Sequence, residues 1–222
     1  VGVDSLKAHM LCTRAAQQSG GLVAPPVYGG IGGLDQPHTF VMEAENDLFS
    51  VLLRPWLEQL TSEAVRQGFR AVIFLTGHYG AGQQIIVREA AVRMSRVLGV
   101  PVLGTPEYLL ALDVDYFGDH AAWGETSLMM YLDPPSVDLS ELGDAPHQGV
   151  GGRDPKKYAS REDGELLAKT IVGRLAALAP QMPEWDAATL QGFIDSESAL
   201  VDRQVVLAAQ AGNTWAAWRN FS

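Results

Sequence analysis

Two histidines and two carboxylates stand out by type and placing. His120 and Glu125 lie five positions apart in GDHAAWGETSLMMYL (118–132), among small residues and with Trp123 between them. His78 follows an apolar run in FRAVIFLTGHYG (69–80), and Asp4 closes the opening VGVD. Imidazole and carboxylate move protons near neutral pH and ligate divalent metals of the zinc type. Together they are the ligand and base types of a hydrolytic metal site, in which a bound ion acidifies water and polarises a carbonyl. Each residue also has a plainer reading. Glu125 sits at the first turn of ETSLMMYL, where a carboxylate offsets the positive end of a helix. His78 reads equally as a cap for the helix that begins near Gln83, and Trp123 as ordinary core packing. His120, preceded by Asp119, is not explained by a helix-end argument.

These side chains need elements to carry them. Residues 5–18 have a helical pattern closed by Gly20–Gly21, followed by a short extended segment (22–28) with two prolines and a glycine-rich loop (29–40). From Asn46 to Gln67 the apolar residues Leu48, Leu52, Trp56, Leu60 and Ala64 recur every fourth position, as on one helix face. Pro55 is placed to kink or split that helix, and Gly68 to end it. Residues 71–75 are five apolar residues in a row, which suits a strand buried on both faces. A helix over 83–99 and a strand over 100–104 complete a strand–helix–strand unit, the building block of a parallel sheet. His78 then falls at the carboxyl end of a strand, where open α/β sheets bind ligands. The glycines around it lack the order and the G-K-[ST] ending of a phosphate loop. Further helices are predicted over 126–132, stopped by Asp133–Pro134–Pro135, and over 161–179 and 196–211. The aromatics Trp215, Trp218 and Phe221 near the chain end are expected to pack on the domain or on a neighbouring subunit.

The totals bound the function. A chain of 222 residues, 47% hydrophobic, can bury one sizeable core, so one domain is expected. Its formal net charge of −10 argues against nucleic acid and anionic membrane as partners, and no apolar run is long enough to cross a bilayer. The short basic patch of Lys156 and Lys157 near Arg153 and Arg161 is mixed with acids and reads as a solvated face. The single cysteine, Cys12, excludes an intrachain disulfide and points to a reducing, cytoplasmic setting. Within its helical pattern it reads as a buried small residue rather than a nucleophile. A small-molecule substrate is the partner that remains.

Four stretches carry a family resemblance. LTGHYGAGQQ resembles the strand-end N-G-H-G-G-N or G-H-Y motif of the creatininase (creatinine amidohydrolase) family. DHAAWGETSLMMYLDPPSV is similar to its H-A-G-x-x-E-T-S-x-M-L…P-x-x-V, with His120 and Glu125 at matching spacing. GVGGRDPKKYASREDGELLAKTIVGRL (149–175) resembles its G-V-x-G-D-P-x-x-A-S-x-E-x-G segment. VGVDSLKAHMLCTRAA resembles the residues after its E-x-H-G-P-H-L-P-L segment, which open with a metal-bridging Asp. The resemblance covers residues 1–178.

That resemblance implies an α/β fold, a mostly parallel twisted sheet with helices on both faces in three layers, assembled as a homo-oligomer, usually a hexamer. It implies two divalent metal ions, zinc or manganese, at the carboxyl end of the sheet. Asp4 would bridge them, His78 would ligate one, Glu125 would ligate or orient at the other, and His120 would be the catalytic acid/base. Tyr79, Trp123 and His38 are the candidate substrate contacts, His38 also reading as a surface-loop residue. The expected activity is metal-dependent hydrolysis, of amidohydrolase type, of a cyclic amide or other C–N bond in a small polar ring. Ring-opening C–C hydrolysis of a keto-inositol-type substrate is the variant within that class, and a non-catalytic relative the alternative outside it. Creatinine hydrolases proper carry a Glu two residues after the ligand His; Gly80 stands there, which argues against creatinine as substrate. The chain therefore reads as one creatininase-like domain over 1–222 that starts after the family's first strand and E-x-H-G segment.

Overall fold

The computed structural model describes residues 2–31 and 48–210. His38 and the aromatics Trp215, Trp218 and Phe221 lie outside the described residues. The class is α/β with parallel strand pairing, as the sequence predicts. The chain forms two compact units: residues 1–107 with 172–191, and residues 108–171 with 192–222.

The first unit is built on a strand–helix–strand motif. Strand β1 (Val72–Thr76) pairs in parallel with β2 (Val102–Pro106), in a register that sets Val72 beside Val102 and Thr76 beside Pro106. Strand β2 begins two residues later than the sequence pattern predicts, because Pro101 has no N–H to give a ladder; its carbonyl instead accepts from Val72 N at 3.1 Å. Between the strands, helix α3 (Ala81–Leu98) lays Val87, Ala90, Ala91 and Met94 into the core and ends at Gly99, whose φ of 67° takes the left-handed conformation of a helix stop. Helix α3 and β2 are so close that a Cβ on Gly104 would stand 2.7 Å from the Val87 carbonyl oxygen.

Helix α1 (Val3–Ser19) precedes this motif and buries Lys7, Ala8, Leu11 and Ala15. Helix α2 (Leu48–Arg66) runs through Pro55 unbroken, but its buried stripe is one residue away from the one the sequence pattern marks. Leu53, Leu57 and Thr61 face the core, while Leu52 and Trp56 are about half exposed. Leu53 and Leu57 pack with Ile31, Val87 and Ala90, so α3 selects the face by what it offers on the other side.

In the second unit a 3₁₀ stretch (Glu107–Val114, of which Glu107 belongs to the first unit) leads to α4 (Trp123–Leu132). Helix α4 starts three residues before the position the sequence predicts and is stopped by Asp133–Pro134. A one-turn helix α5 (Pro155–Tyr158) follows, then α6 (Arg161–Gln181), of which residues 172–181 belong to the first unit, and α7 (Ala187–Gln210), of which residues 187–191 do, the last helix starting nine residues early. Gly164 lets α6 touch α4: a Cβ there would lie 1.8 Å from the Ser127 carbonyl oxygen.

Candidate functional site

Asp4 and His78 meet. Asp4 occupies the first turn of α1, where the helix dipole favours a carboxylate. His78 follows β1 in the turn that leads to α3. The α1 backbone can reach that turn only because residue 77 is glycine; a Cβ there would stand 2.2 Å from the Asp4 carbonyl oxygen. Asp4 Oδ2 consequently lies 3.2 Å from His78 Nδ1.

The other face of the imidazole is also fixed. His78 Nε2 lies 2.8 Å from the Ile31 carbonyl oxygen. Ile31 is held in turn by Gln83, whose Oε1 accepts from Ile31 N at 3.0 Å while its Nε2 donates to Thr76 Oγ1 at 3.0 Å. Thr76 Oγ1 accepts from His78 N and donates to the His78 carbonyl, closing the strand end on itself. Glycines line the ring on both sides: a Cβ on Gly30 would approach it to 2.9 Å, and one on Gly80 would stand 2.6 Å from Nε2. The Gly80 position therefore has no room for the Glu of creatinine hydrolases proper while the ring stays where it is.

This geometry fixes the hydrogen bookkeeping at His78. A carbonyl oxygen only accepts, so Nε2 carries the proton. In the neutral ring, Nδ1 is then a bare lone pair pointing at a carboxylate oxygen, and two acceptors at 3.2 Å repel. Either a second proton or a cation must lie between them. Two ligands of a tetrahedral zinc site, at about 2.0–2.1 Å from the ion, stand about 3.3 Å apart. The hydrogen bond from the distal nitrogen to a backbone carbonyl is the arrangement that metal-binding histidines use to fix tautomer and ring plane. The donor chemistry of Asp4 and His78 thus fits a divalent ion. Among the described residues, no three His, Cys, Asp or Glu side chains group at metal-holding distance.

Behind this pair lies a buried ionic cluster that sequence reasoning missed. Lys7, one turn along α1 from Asp4, is fully buried. Its Nζ lies 3.0 Å from Glu107 Oε1, donates to Tyr79 Oη at 2.8 Å, and stands 3.9 Å from Asp4 Oδ1. Tyr79 Oη donates onward to Glu107 Oε1 at 2.7 Å. Burial pushes the Glu107 carboxyl above the usual range, against the pull of Lys7 and Tyr79. Its second oxygen, Oε2, is buried without a hydrogen-bond partner. Cys12 nearby is half-buried rather than buried as its sequence context predicts, and its thiol is pushed up to about 11, first by burial and then by the Glu107 charge, which keeps it protonated at neutral pH. The sequence signal for Lys7 is its place at i−4 from Leu11 and i−8 from Ala15, on the buried stripe of α1, where a lysine is out of type. A cavity of about 840 Å³, lined in part by Asp4, Ser5, His9, Cys12 and His78, opens in this unit.

The second unit positions the other candidates. The backbone of His120 is bridged on both sides to Gly151, N to O at 2.9 Å and O from N at 2.8 Å. Asp119 receives the helix that follows: its two carboxylate oxygens accept from Gly124 N at 2.6 Å and Glu125 N at 3.0 Å. Glu125, buried in the first turn of α4, reaches back to accept from Ala121 N at 2.8 Å. The two acids therefore cap the helix start reciprocally, as in a capping box, and Ala121 is held at a left-handed φ of 49° between them. Trp123 is pinned by three contacts: its Nε1 donates to Asp163 at 2.8 Å, Tyr116 meets it edge-on at 6.2 Å, and Arg153 lies over its ring at 5.1 Å. Gly124 is obligatory here, since a Cβ would overlap the Tyr116 ring at 2.1 Å. Asp119 was passed over in the sequence as the neighbour of His120; its signal was an Asp placed just before the small residues that start a helix.

The chain as a whole is similar to known proteins. The profile of the creatininase family, described as creatinine amidohydrolase, matches residues 1–179, and the chain belongs to that family. The creatinine amidohydrolase of Pseudomonas putida is 27% identical over 219 residues, covering 79% of this chain and 80% of that protein. Among solved structures, a creatininase point mutant of Zn–Zn type is similar with a TM-score of 0.63 and 27% identity, over 82% of this chain and 84% of the other. A manganese creatininase is similar with a TM-score of 0.63 and 25% identity, over the same shares.

Proposed function

We propose that this chain is a metal-dependent hydrolase that opens a small polar ring by hydrolysing a cyclic amide or another C–N bond. The observation that carries the reading is the facing pair of acceptors, His78 Nδ1 and Asp4 Oδ2, which leaves a place for a cation between them. The Zn–Zn and manganese structures of its relatives support a divalent ion in that place.

In this reading Asp4 and His78 hold the ion, and Glu125 takes part in holding it or a second one. A divalent ion held there would supply Lewis acidity toward the water and the scissile carbonyl. Gln83 and Ile31 keep the imidazole in the tautomer that leaves Nδ1 free to ligate. His120 carries the proton from the attacking water to the leaving nitrogen, a task suited to a group with a pKa near the working pH. Trp123 and Tyr79 are the proposed substrate contacts, Tyr79 through its ring because its hydroxyl is engaged by Lys7 and Glu107. Creatinine is not the proposed substrate: Gly80 offers no carboxylate, and its position has no space for one.

The test is a titration of metal-stripped protein with Zn²⁺ and Mn²⁺ by calorimetry, followed by a hydrolysis screen of cyclic amides, hydantoin-type rings and keto-inositols. Binding abolished by Asp4→Ala and by His78→Ala, with turnover of a cyclic amide, is the expected result. Failure of the wild-type protein to bind either ion would refute the reading. Cleavage of the keto-inositols alone would move the activity to C–C bond hydrolysis.

A further inference from the structure

We propose that Lys7 is a positioning residue for the Asp4–His78 pair: its ammonium holds one oxygen of Asp4 and so presents the other to the imidazole and to the ion between them. The inference rests on the metal-site reading above and adds a residue that the sequence motifs do not include.

Asp4 has two oxygens with different partners. Oδ1 faces Lys7 Nζ at 3.9 Å and Oδ2 faces His78 Nδ1 at 3.2 Å. A carboxylate free to rotate would exchange them. Lys7 itself has little freedom. It is fully buried, and its stem passes Gly77 so closely that a Cβ there would stand 3.0 Å from Lys7 Cε. Its ammonium is anchored by Glu107 Oε1 at 3.0 Å and Tyr79 Oη at 2.8 Å. Three elements converge on one nitrogen: α1 through Lys7, the turn after β1 through Tyr79, and the end of β2 through Glu107. Two of those three also carry the Asp4–His78 pair.

Stability alone does not account for the cluster. Buried ion pairs are commonly no more stable than well-packed apolar residues of the same size, because both ions lose their water. This one also leaves Glu107 Oε2 buried and without a hydrogen-bond partner. A charge argument does not account for it either. A cation so near Asp4 repels a metal ion, so by field alone the site would bind better without it. What the ammonium supplies is a bias on the direction of the carboxylate, since at 3.9 Å it attracts Oδ1 as an ion pair without hydrogen bonding it.

The field and the direction can be separated. The double variant Lys7→Met/Glu107→Leu removes one positive and one negative charge, so the local net charge is unchanged while the anchor on Asp4 Oδ1 is lost. The protein as it exists would be stripped of metal and titrated with Zn²⁺, with thermal unfolding measured in parallel. The expected result is a protein that still unfolds cooperatively and a zinc dissociation constant raised about 10–100-fold, the usual effect of removing a group that orients a metal ligand. Unchanged zinc affinity in a folded double variant overturns the proposal. Tyr79→Phe, which deletes one hydroxyl and should fold, gives a second readout: zinc affinity reduced several-fold supports the role of Lys7, and affinity equal to wild type counts against it. Absence of zinc binding by the wild-type protein overturns the metal reading as well, and so is told apart from failure of the Lys7 role alone.

Discussion

Gly80→Ala tests the His78 geometry by adding a single methyl group. The backbone at Gly80 has φ −53° and ψ 129°, which any L-residue can adopt, so the substitution carries no backbone penalty. The added Cβ is the whole perturbation. It would stand 2.6 Å from His78 Nε2 and 2.8 Å from the Ile31 carbonyl oxygen, two atoms themselves joined by a 2.8 Å hydrogen bond. The methyl wedges that bond open. Losing it costs about 0.5–1.5 kcal/mol, and forcing a carbon into a filled site costs about 1–3 kcal/mol more. The stiffer unfolded chain returns about 0.4–1 kcal/mol. The balance is a loss of about 0.5–4 kcal/mol, or a urea midpoint lower by about 0.3–2 M at a slope of about 2 kcal/mol per M. Tryptophan fluorescence follows the unfolding, and long-range ¹H–¹⁵N spectra of the histidines report which ring nitrogen of His78 carries its proton. An unchanged midpoint together with an unchanged Nε2–H signature would refute the hydrogen-bond argument on which the metal reading depends.

His120→Ala is expected to keep bound metal and lower turnover by about 10²–10⁴, read by metal analysis and kcat once a substrate is in hand; equal metal loss from His120→Ala and Glu125→Ala would end the division of roles between them. Glu125→Gln keeps an oxygen for Ala121 N, so the melting temperature should hold while metal content falls; a fall in melting temperature alone would make Glu125 only a helix cap. Asp119→Ala removes both acceptors at the start of α4 and should cost about 1–2 kcal/mol in chemical denaturation, with Asp119→Asn between it and the wild type. Cys12, raised from its ordinary 9.0 to about 11, is a stabilising group only while protonated. Its contribution is complete below pH 9.0 and disappears as pH rises through about 11, a loss of about 3 kcal/mol at about 1.36 kcal/mol per pKa unit. Cys12→Ala should flatten that alkaline decline in stability, and native Cys12, a protonated thiol beside a cavity, should react with a thiol reagent more slowly at neutral pH than a free cysteine does.

The sequence made the strand–helix–strand unit legible because a continuous apolar run between a helix and a glycine turn has few other uses. It also placed His78 at a strand end, and the structure adds its meeting with Asp4. The face of α2 was misread because the stripe at Leu52, Trp56 and Leu60 and the stripe at Leu53 and Leu57 are both apolar. Periodicity gives the helix, and only the partner, here Ile31, Val87 and Ala90, chooses between faces. The early start of α4 was hidden by its first residues, Trp123 and Gly124, which have little helix preference of their own. The cap that makes them helical comes from Asp119, outside the window of the pattern. Lys7 and Glu107 escaped notice for a related reason: each is a single charged residue inside an apolar pattern, and their partnership spans 100 positions.

Gly77 has a mechanical consequence. With the carbonyl of Asp4 seated where a side chain at 77 would begin, the first turn of α1 and the end of β1 are in hard contact. Close-packed protein interiors compress very little, so such a contact transmits displacement rather than absorbing it. When thermal motion shifts the helix, the strand end goes with it, and Asp4 and His78 drift as one body. Their separation is then far better conserved than the position of either, which is the property an ion held between two side chains requires.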